Sequence, residues 1–123
     1  MKATRRQLLS ACACGLGTQA WRLSAFPTLH SLAGVLDAYL EAKQDTVVTA
    51  GKETEHWGYS GATPGPMFEL RPGDTLRLRL RNSLPEPTNL HFHGLHVSPS
   101  GNGDNSFIEV LSGEQFDYDV QIP

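Results

Sequence analysis

Three of the five histidines of this chain lie within six residues, at His91, His93 and His96. One residue separates the first two, and Gly94 follows them directly. In an extended strand residues i and i+2 point to the same face, so we expect His91 and His93 to hold two imidazoles side by side while Phe92 packs on the other face. Neutral imidazole is the commonest side-chain metal ligand and suits copper, zinc, iron and nickel better than calcium or magnesium. The spacing therefore predicts a pair of metal ligands.

A His-x-His pair also occurs in strands that bind no metal. Each histidine can be satisfied by a backbone carbonyl group, so a purely structural role for His91 and His93 stays open on the residues alone. Gly94 favours a site, because glycine lets a backbone or a ligand approach closely. A lone histidine such as His96 is expected to be an exposed or hydrogen-bonded loop residue.

Several segments around the histidine pair occur in the order typical of one protein family. The chain resembles the first plastocyanin-like (cupredoxin) domain of the multicopper oxidases, the laccase-like enzymes. The resemblance spans about half of the chain. The segments that carry it are Trp57–Gly61, Pro64–Pro66, Arg71–Leu76, Asn82–Leu84 and Thr88–Pro99.

This resemblance implies copper as the cofactor. In the family the first histidine of His-x-His-Gly faces the type 2 copper and the second faces one of the paired type 3 coppers, which implies these roles for His91 and His93. It also implies an oxidase that couples substrate oxidation to reduction of O₂ to water, with further cupredoxin domains, in the same gene or in trans, as partners. The family's second His-x-His would follow Pro123. The chain is therefore expected to be a fragment, inactive alone, to which no catalytic residue is assigned.

Short alternating stretches are predicted to position the pair. Between Thr75 and Asn82 three leucines alternate with three arginines, which predicts a half-buried strand whose arginines form a solvated face rather than a binding patch. Residues 115–122 alternate in the same way, and 47–50 and 54–59 are further strand candidates. The apolar spacing of residues 35–42 fits a helix as well as a strand. The family resemblance implies a strand there.

Turn-forming residues separate these stretches. Two glycines and two prolines predict a tight corner at residues 61–66, and Pro72–Asp74 predicts a turn. Residues 101–106 are acidic and glycine-rich but lack the spaced ligands and closing glutamate of a calcium loop, so we expect a plain surface loop. These patterns predict an all-β chain, an antiparallel Greek-key sandwich or barrel. The resemblance implies a cupredoxin-like version that is incomplete at its C-terminal end.

The N-terminal residues have the order of a bacterial export signal. Arg5 and Arg6 precede a short, weakly apolar stretch, as in twin-arginine signals, which predicts a periplasmic or exported protein. A disordered basic terminus is the alternative. We therefore divide the chain into a signal (1–20), a linker (21–34) and a partial cupredoxin-like domain (35–123). No stretch reaches the roughly 18 apolar residues of a transmembrane segment.

Charge and cysteine content narrow the function further. The formal net charge is −3, and removal of residues 1–20 would leave 7 basic and 13 acidic residues, a net of −6, so nucleic acid is not an expected partner. The two cysteines, Cys12 and Cys14, both lie in the predicted signal. A lipoprotein signal ending at Cys12 is less favoured than the twin-arginine signal, because the apolar stretch before Cys12 is too short. A blue copper site needs one cysteine and two histidines, so residues 21–123 cannot build one.

The alternative to an oxidase fragment is a small exported copper-binding module that buffers copper or hands it over.

Overall fold

The computed structural model describes residues 27–123, and within them all regular structure is strand. The predicted signal and both cysteines lie outside the described residues. No helix among residues 27–123 has the length and hydropathy needed to cross a membrane. The strands are β1 (Thr28–His30), β2 (Val35–Thr49), β3 (Lys52–Tyr59), β4 (Met67–Glu69), β5 (Thr75–Asn82) and β6 (Gln115–Gln121). The all-β prediction is confirmed, and β1 falls within the range that we expected to be a linker.

The six strands form two open sheets. A four-stranded sheet has the order β3-β2-β5-β6, and a two-stranded sheet pairs β1 with β4. The β2–β3 and β5–β6 pairs are antiparallel as expected, whereas β2–β5 and β1–β4 are parallel. Parallel neighbours need a crossover connection, which here runs through β3 and β4 before the chain returns to the sheet beside β2.

Strand β5 is formed as its alternation predicts. Leu76, Leu78 and Leu80 are buried in the core, and the arginines between them lie on the exposed face. There the guanidinium of Arg79 donates two hydrogen bonds to Asp117 on β6, at 2.6 and 2.8 Å. This face is solvated, as expected, and Arg79 on it is paired with a carboxylate of the neighbouring strand. Exposed pairs of this kind contribute little to stability.

Strand β2 resolves the ambiguity between helix and strand. Leu36, Leu40 and Ala42 are buried and Ala38 packs against the same core, which is the two-residue period of a strand. Residues 35–42 of β2 pair in register with residues 75–82 of β5. The hydrogen-bond partner therefore decided the conformation of a stretch whose local pattern allowed both.

The connection between β5 and β6, residues 83–114, covers the inner face of the large sheet. It contributes Leu84 and Val110 to the buried core, and Leu90, Phe92, Val97 and Ile108 pack partly buried against that core. Near its two ends, Thr88 and Val110 form an antiparallel bridge with each other. All three clustered histidines lie on this connection, so packing against the sheet determines their placement.

Candidate metal site

The backbone around the histidine pair is not a strand, and our expectation on this point was wrong. Residues 89–92 have no regular structure, and a turn follows at His93–Gly94, where Gly94 has φ 78°. No neighbouring strand offers a hydrogen-bond ladder to this part of the described chain. Two side chains bind its N–H groups instead, since Leu90 N–H donates to the Tyr118 hydroxyl at 2.9 Å and Phe92 N–H donates to Asp104 at 3.1 Å.

The two imidazoles nevertheless lie together as the spacing predicts. The ring centroids of His91 and His93 are 4.7 Å apart with an interplanar angle of 69°, and both side chains are exposed. Phe92 points the opposite way, into the core, with its ring centroid 6.5 Å from that of Tyr118. An irregular loop, rather than strand geometry, thus brings the two imidazoles together.

Tyr118 on β6 anchors this loop from below. Its side chain is 1% exposed, its ring packs edge-on against Phe116 at 4.8 Å between centroids, and its hydroxyl accepts the Leu90 N–H. Burial raises the pKa of Tyr118, so the hydroxyl stays protonated at neutral pH. A buried tyrosine with a satisfied hydroxyl gives the loop both an apolar contact and a directional one.

Asp104 orients His91 from the side. Its Oδ1 lies 2.8 Å from His91 Nδ1, and its side chain is only 12% exposed. Burial is the largest single influence and raises the pKa of Asp104, but the hydrogen bonds from His91 and from Phe92 N–H and the electrostatic attraction of both imidazoles together outweigh it. The net shift is downward, so the carboxyl is ionised at neutral pH. An ionised carboxylate only accepts hydrogen bonds, so Nδ1 of His91 carries the proton. The lone pair of neutral His91 is then on Nε2, free to bind a metal.

Asp104 was missed by sequence reasoning, which interpreted residues 101–106 as a plain surface loop. Asp104 in that loop is 13 residues from His91 and makes a specific contact with it. No local pattern distinguishes an aspartate that will reach a histidine from one that faces solvent. The available signal was weak: an acidic residue in a glycine-rich turn downstream of the histidine pair.

Asn82 at the end of β5 holds both ends of the connection. It is completely buried, and its amide nitrogen donates to Glu86 O and Val110 O, each at 2.8 Å. Its amide oxygen accepts Leu84 N–H at 2.9 Å. Because Val110 in turn pairs with Thr88, this one side chain fixes where the histidine-bearing segment leaves the sheet.

The described residues hold too few adjacent metal-binding side chains to form a complete coordination sphere. They contain no group of three or more histidine, cysteine, aspartate or glutamate side chains arranged to hold a metal ion. His96 is exposed, as expected, and takes no part in a cluster of this kind. Two imidazoles leave the remaining positions of a copper ion to water or to ligands from elsewhere.

Comparison with known proteins relates this chain to multicopper oxidases. A family model described as "Multicopper oxidase" matches residues 41–123. Copper resistance protein A of Pseudomonas syringae pv. tomato is 30% identical over 113 residues, which cover 88% of this chain and 18% of that protein. Copper resistance protein A of Escherichia coli is 30% identical over 134 residues, covering 99% of this chain and 22% of that protein.

Solved structures show the same relationship. A multicopper oxidase from Campylobacter jejuni, described as a metallo-oxidase, superimposes with a TM-score of 0.71 at 34% sequence identity. The superposition covers 80% of this chain and 22% of the oxidase chain. A multi-copper oxidase from Pediococcus acidilactici superimposes with a TM-score of 0.68 at 22% identity, a likeness of fold. The chain spans about a fifth of the length of the relatives that it matches.

Proposed function

Because this chain belongs to the multicopper oxidase family, we propose that His91 and His93 are copper ligands and that the chain provides one part of the copper centre of a larger oxidase. The observation that carries this proposal is the hydrogen bond between His91 Nδ1 and Asp104, beside a second exposed imidazole. An imidazole whose other nitrogen is held by a carboxylate is the usual arrangement of a metal-ligating histidine.

The finer assignment follows from the family resemblance. His91 would face the type 2 copper and His93 one of the type 3 coppers. The ring planes of the two histidines differ by 69°, which is compatible with service to two different ions. The remaining ligands, including the cysteine and histidines of the type 1 site, would come from other cupredoxin domains, and the relatives are several times longer than this chain.

Within such an enzyme the bound coppers would supply electron transfer from substrate to O₂, which is reduced to water. The residues of this chain would orient the two imidazoles and tune their basicity. Asp104 holds His91 in the Nδ1–H tautomer and raises the basicity of Nε2. Phe92 and Tyr118 keep the base of the ligand loop apolar and rigid, so the two imidazoles present a fixed geometry.

We also propose that the protein is exported to the periplasm through a twin-arginine signal at residues 1–20. The support is the order of charged and apolar residues there. Fusion of residues 1–20 to a reporter that is active only after folded export would test this proposal. Export should require both Arg5 and Arg6, and equal export of an Arg5→Lys/Arg6→Lys variant would refute it.

Copper titration tests the ligand assignment. All variants should carry Cys12→Ser and Cys14→Ser, because free thiols bind copper and would mask the imidazoles. We expect weak Cu²⁺ binding, with nitrogen coupling in the electron paramagnetic resonance spectrum, that is lost in the His91→Ala/His93→Ala double variant. The matched control is His96→Ala, which should bind like the parent. Equal affinity in the parent and the double variant would refute the assignment.

A further inference from the structure

Asn102 clamps the loop of Asp104 onto the free edge of β6. Its backbone carbonyl accepts Asp119 N–H at 2.8 Å, and its side-chain Nδ2 donates to Asp117 O at 2.8 Å. Both groups of β6 lie on the side away from β5, because residues i and i+2 of a strand direct their backbone groups the same way. A single asparagine thus pairs with β6 as one residue of an added strand would. It satisfies edge groups that are otherwise open to association.

The turn between this clamp and Asp104 has little freedom. Asp104 N–H donates to Ser98 O at 2.7 Å and Gly103 N–H to Ser100 O at 3.1 Å. Gly103 is buried, and a Cβ on it would lie 2.3 Å from Ser98 O, closer than any real contact. The carboxylate that holds His91 therefore follows the position of Asn102, only two residues away.

We infer that Asn102 is a positioning residue for the histidine site. By fixing the turn to β6 it places Asp104 Oδ1 on His91 Nδ1, and so keeps His91 in the tautomer that leaves Nε2 available. Tyr118 fixes the ligand loop to the same strand through Leu90. The segment that carries His91 and the turn that carries Asp104 are therefore both attached to β6, which keeps the two side chains within hydrogen-bond distance of each other.

The tautomer claim concerns the metal-free chain, and only its consequence for copper rests on the proposed function. An asparagine that merely protects the strand edge would affect overall stability without changing the tautomer of a histidine elsewhere. The tautomer of His91 is therefore the readout that separates positioning from simple support of the fold.

The experiment compares Asn102→Asp with Asn105→Asp in the full chain carrying Cys12→Ser and Cys14→Ser. Asn102→Asp keeps the size of the side chain but replaces the donor to Asp117 O with an acceptor. Asn105→Asp adds the same charge in the same loop and keeps an oxygen for Phe107 N–H, which the Asn105 side chain accepts at 3.0 Å. Long-range ¹H–¹⁵N spectra at about pH 8, above the usual histidine pKa, report which ring nitrogen carries the proton. Cu²⁺ affinity is measured in parallel by competition with a chelator.

We expect His91 to be an Nδ1–H tautomer in the parent and in Asn105→Asp, and to lose that preference in Asn102→Asp. Cu²⁺ affinity should fall about tenfold in Asn102→Asp, the usual cost of losing an outer partner of a ligand. An unchanged tautomer in Asn102→Asp would overturn the inference even if copper binds at the two histidines. A changed tautomer with unchanged copper affinity would support the positioning role and count against the copper-ligand assignment.

Asn102→Ala is the second variant, because it removes the donor without adding charge beside Asp117 and Asp119. It should shift the tautomer in the same direction. If neither variant folds, as judged by amide dispersion, Asn102 serves the fold as a whole and the positioning role is wrong.

Discussion

Replacement of the buried Asn82 by alanine should be the most damaging conservative change near the site. The side chain makes three hydrogen bonds, to Glu86 O, Val110 O and Leu84 N–H, and is 0% exposed. Each such bond contributes a net of about 1 kcal/mol, so the free energy of unfolding should fall by about 3 kcal/mol. Native domains have only about 5–15 kcal/mol in total, so the loss is large but leaves a measurable folded state.

Urea denaturation of the parent and of Asn82→Ala measures this difference. With a dependence on urea of about 1.5 kcal/mol per M, the midpoint should shift by roughly 2 M. Ser83→Ala is the matched control: its hydroxyl is exposed and donates to Glu41 at 2.6 Å, so the change should be within about 0.5 kcal/mol. Asn82→Asp keeps the shape but turns the donor into an acceptor facing two carbonyl oxygens, and should destabilise at least as much. A loss below about 1 kcal/mol in Asn82→Ala would show that this side chain does not hold the connection.

Three further changes test individual contacts. Tyr118→Phe should lower the free energy of unfolding by about 1 kcal/mol and speed amide exchange at Leu90, because the N–H loses its acceptor while the ring contacts remain. Gly103→Ala should destabilise by about 2 kcal/mol, measured by thermal melting, because the new Cβ would overlap a backbone oxygen. Hydrogen bonds from Ser31 and from the Arg71 N–H lower the pKa of Asp74 below 3.8. Its contribution to stability is therefore present above that value and lost as pH falls through the lower folded pKa, and Asp74→Asn should remove this part of the acid dependence.

Each of these has a control in the same fold. Tyr39→Phe alters an exposed hydroxyl and should leave stability unchanged. Ser100→Thr adds one methyl group at an exposed position of the loop that contains Gly103, and tests whether any added bulk there is harmful. Asp37→Asn, on the exposed face, should leave the acid unfolding curve close to that of the parent. If Asp74→Asn and Asp37→Asn gave the same acid unfolding curve, the pKa of Asp74 would not be lowered on folding and the reasoning from its hydrogen bonds would be wrong.

The sequence by itself determined what depends on one element or on one short motif. The alternation of leucine and arginine in β5 predicted its buried and exposed faces, because a strand has a period of two whatever its neighbours. The corner at 61–66 followed from its prolines and glycines. The spacing of His91 and His93 predicted two adjacent rings, and the surrounding motifs indicated the family before any contact was known.

The tertiary structure decided what depends on partners distant in the chain. Residues 35–42 satisfy helix and strand periods equally, and only pairing with β5 selects the strand. The backbone at His91 is irregular because its N–H groups bind Tyr118 and Asp104 rather than a neighbouring strand. Asp104 joins the site because a turn closed by Gly103 brings it there. Such contacts form only when loop and sheet pack together, and no local period of the sequence encodes that packing.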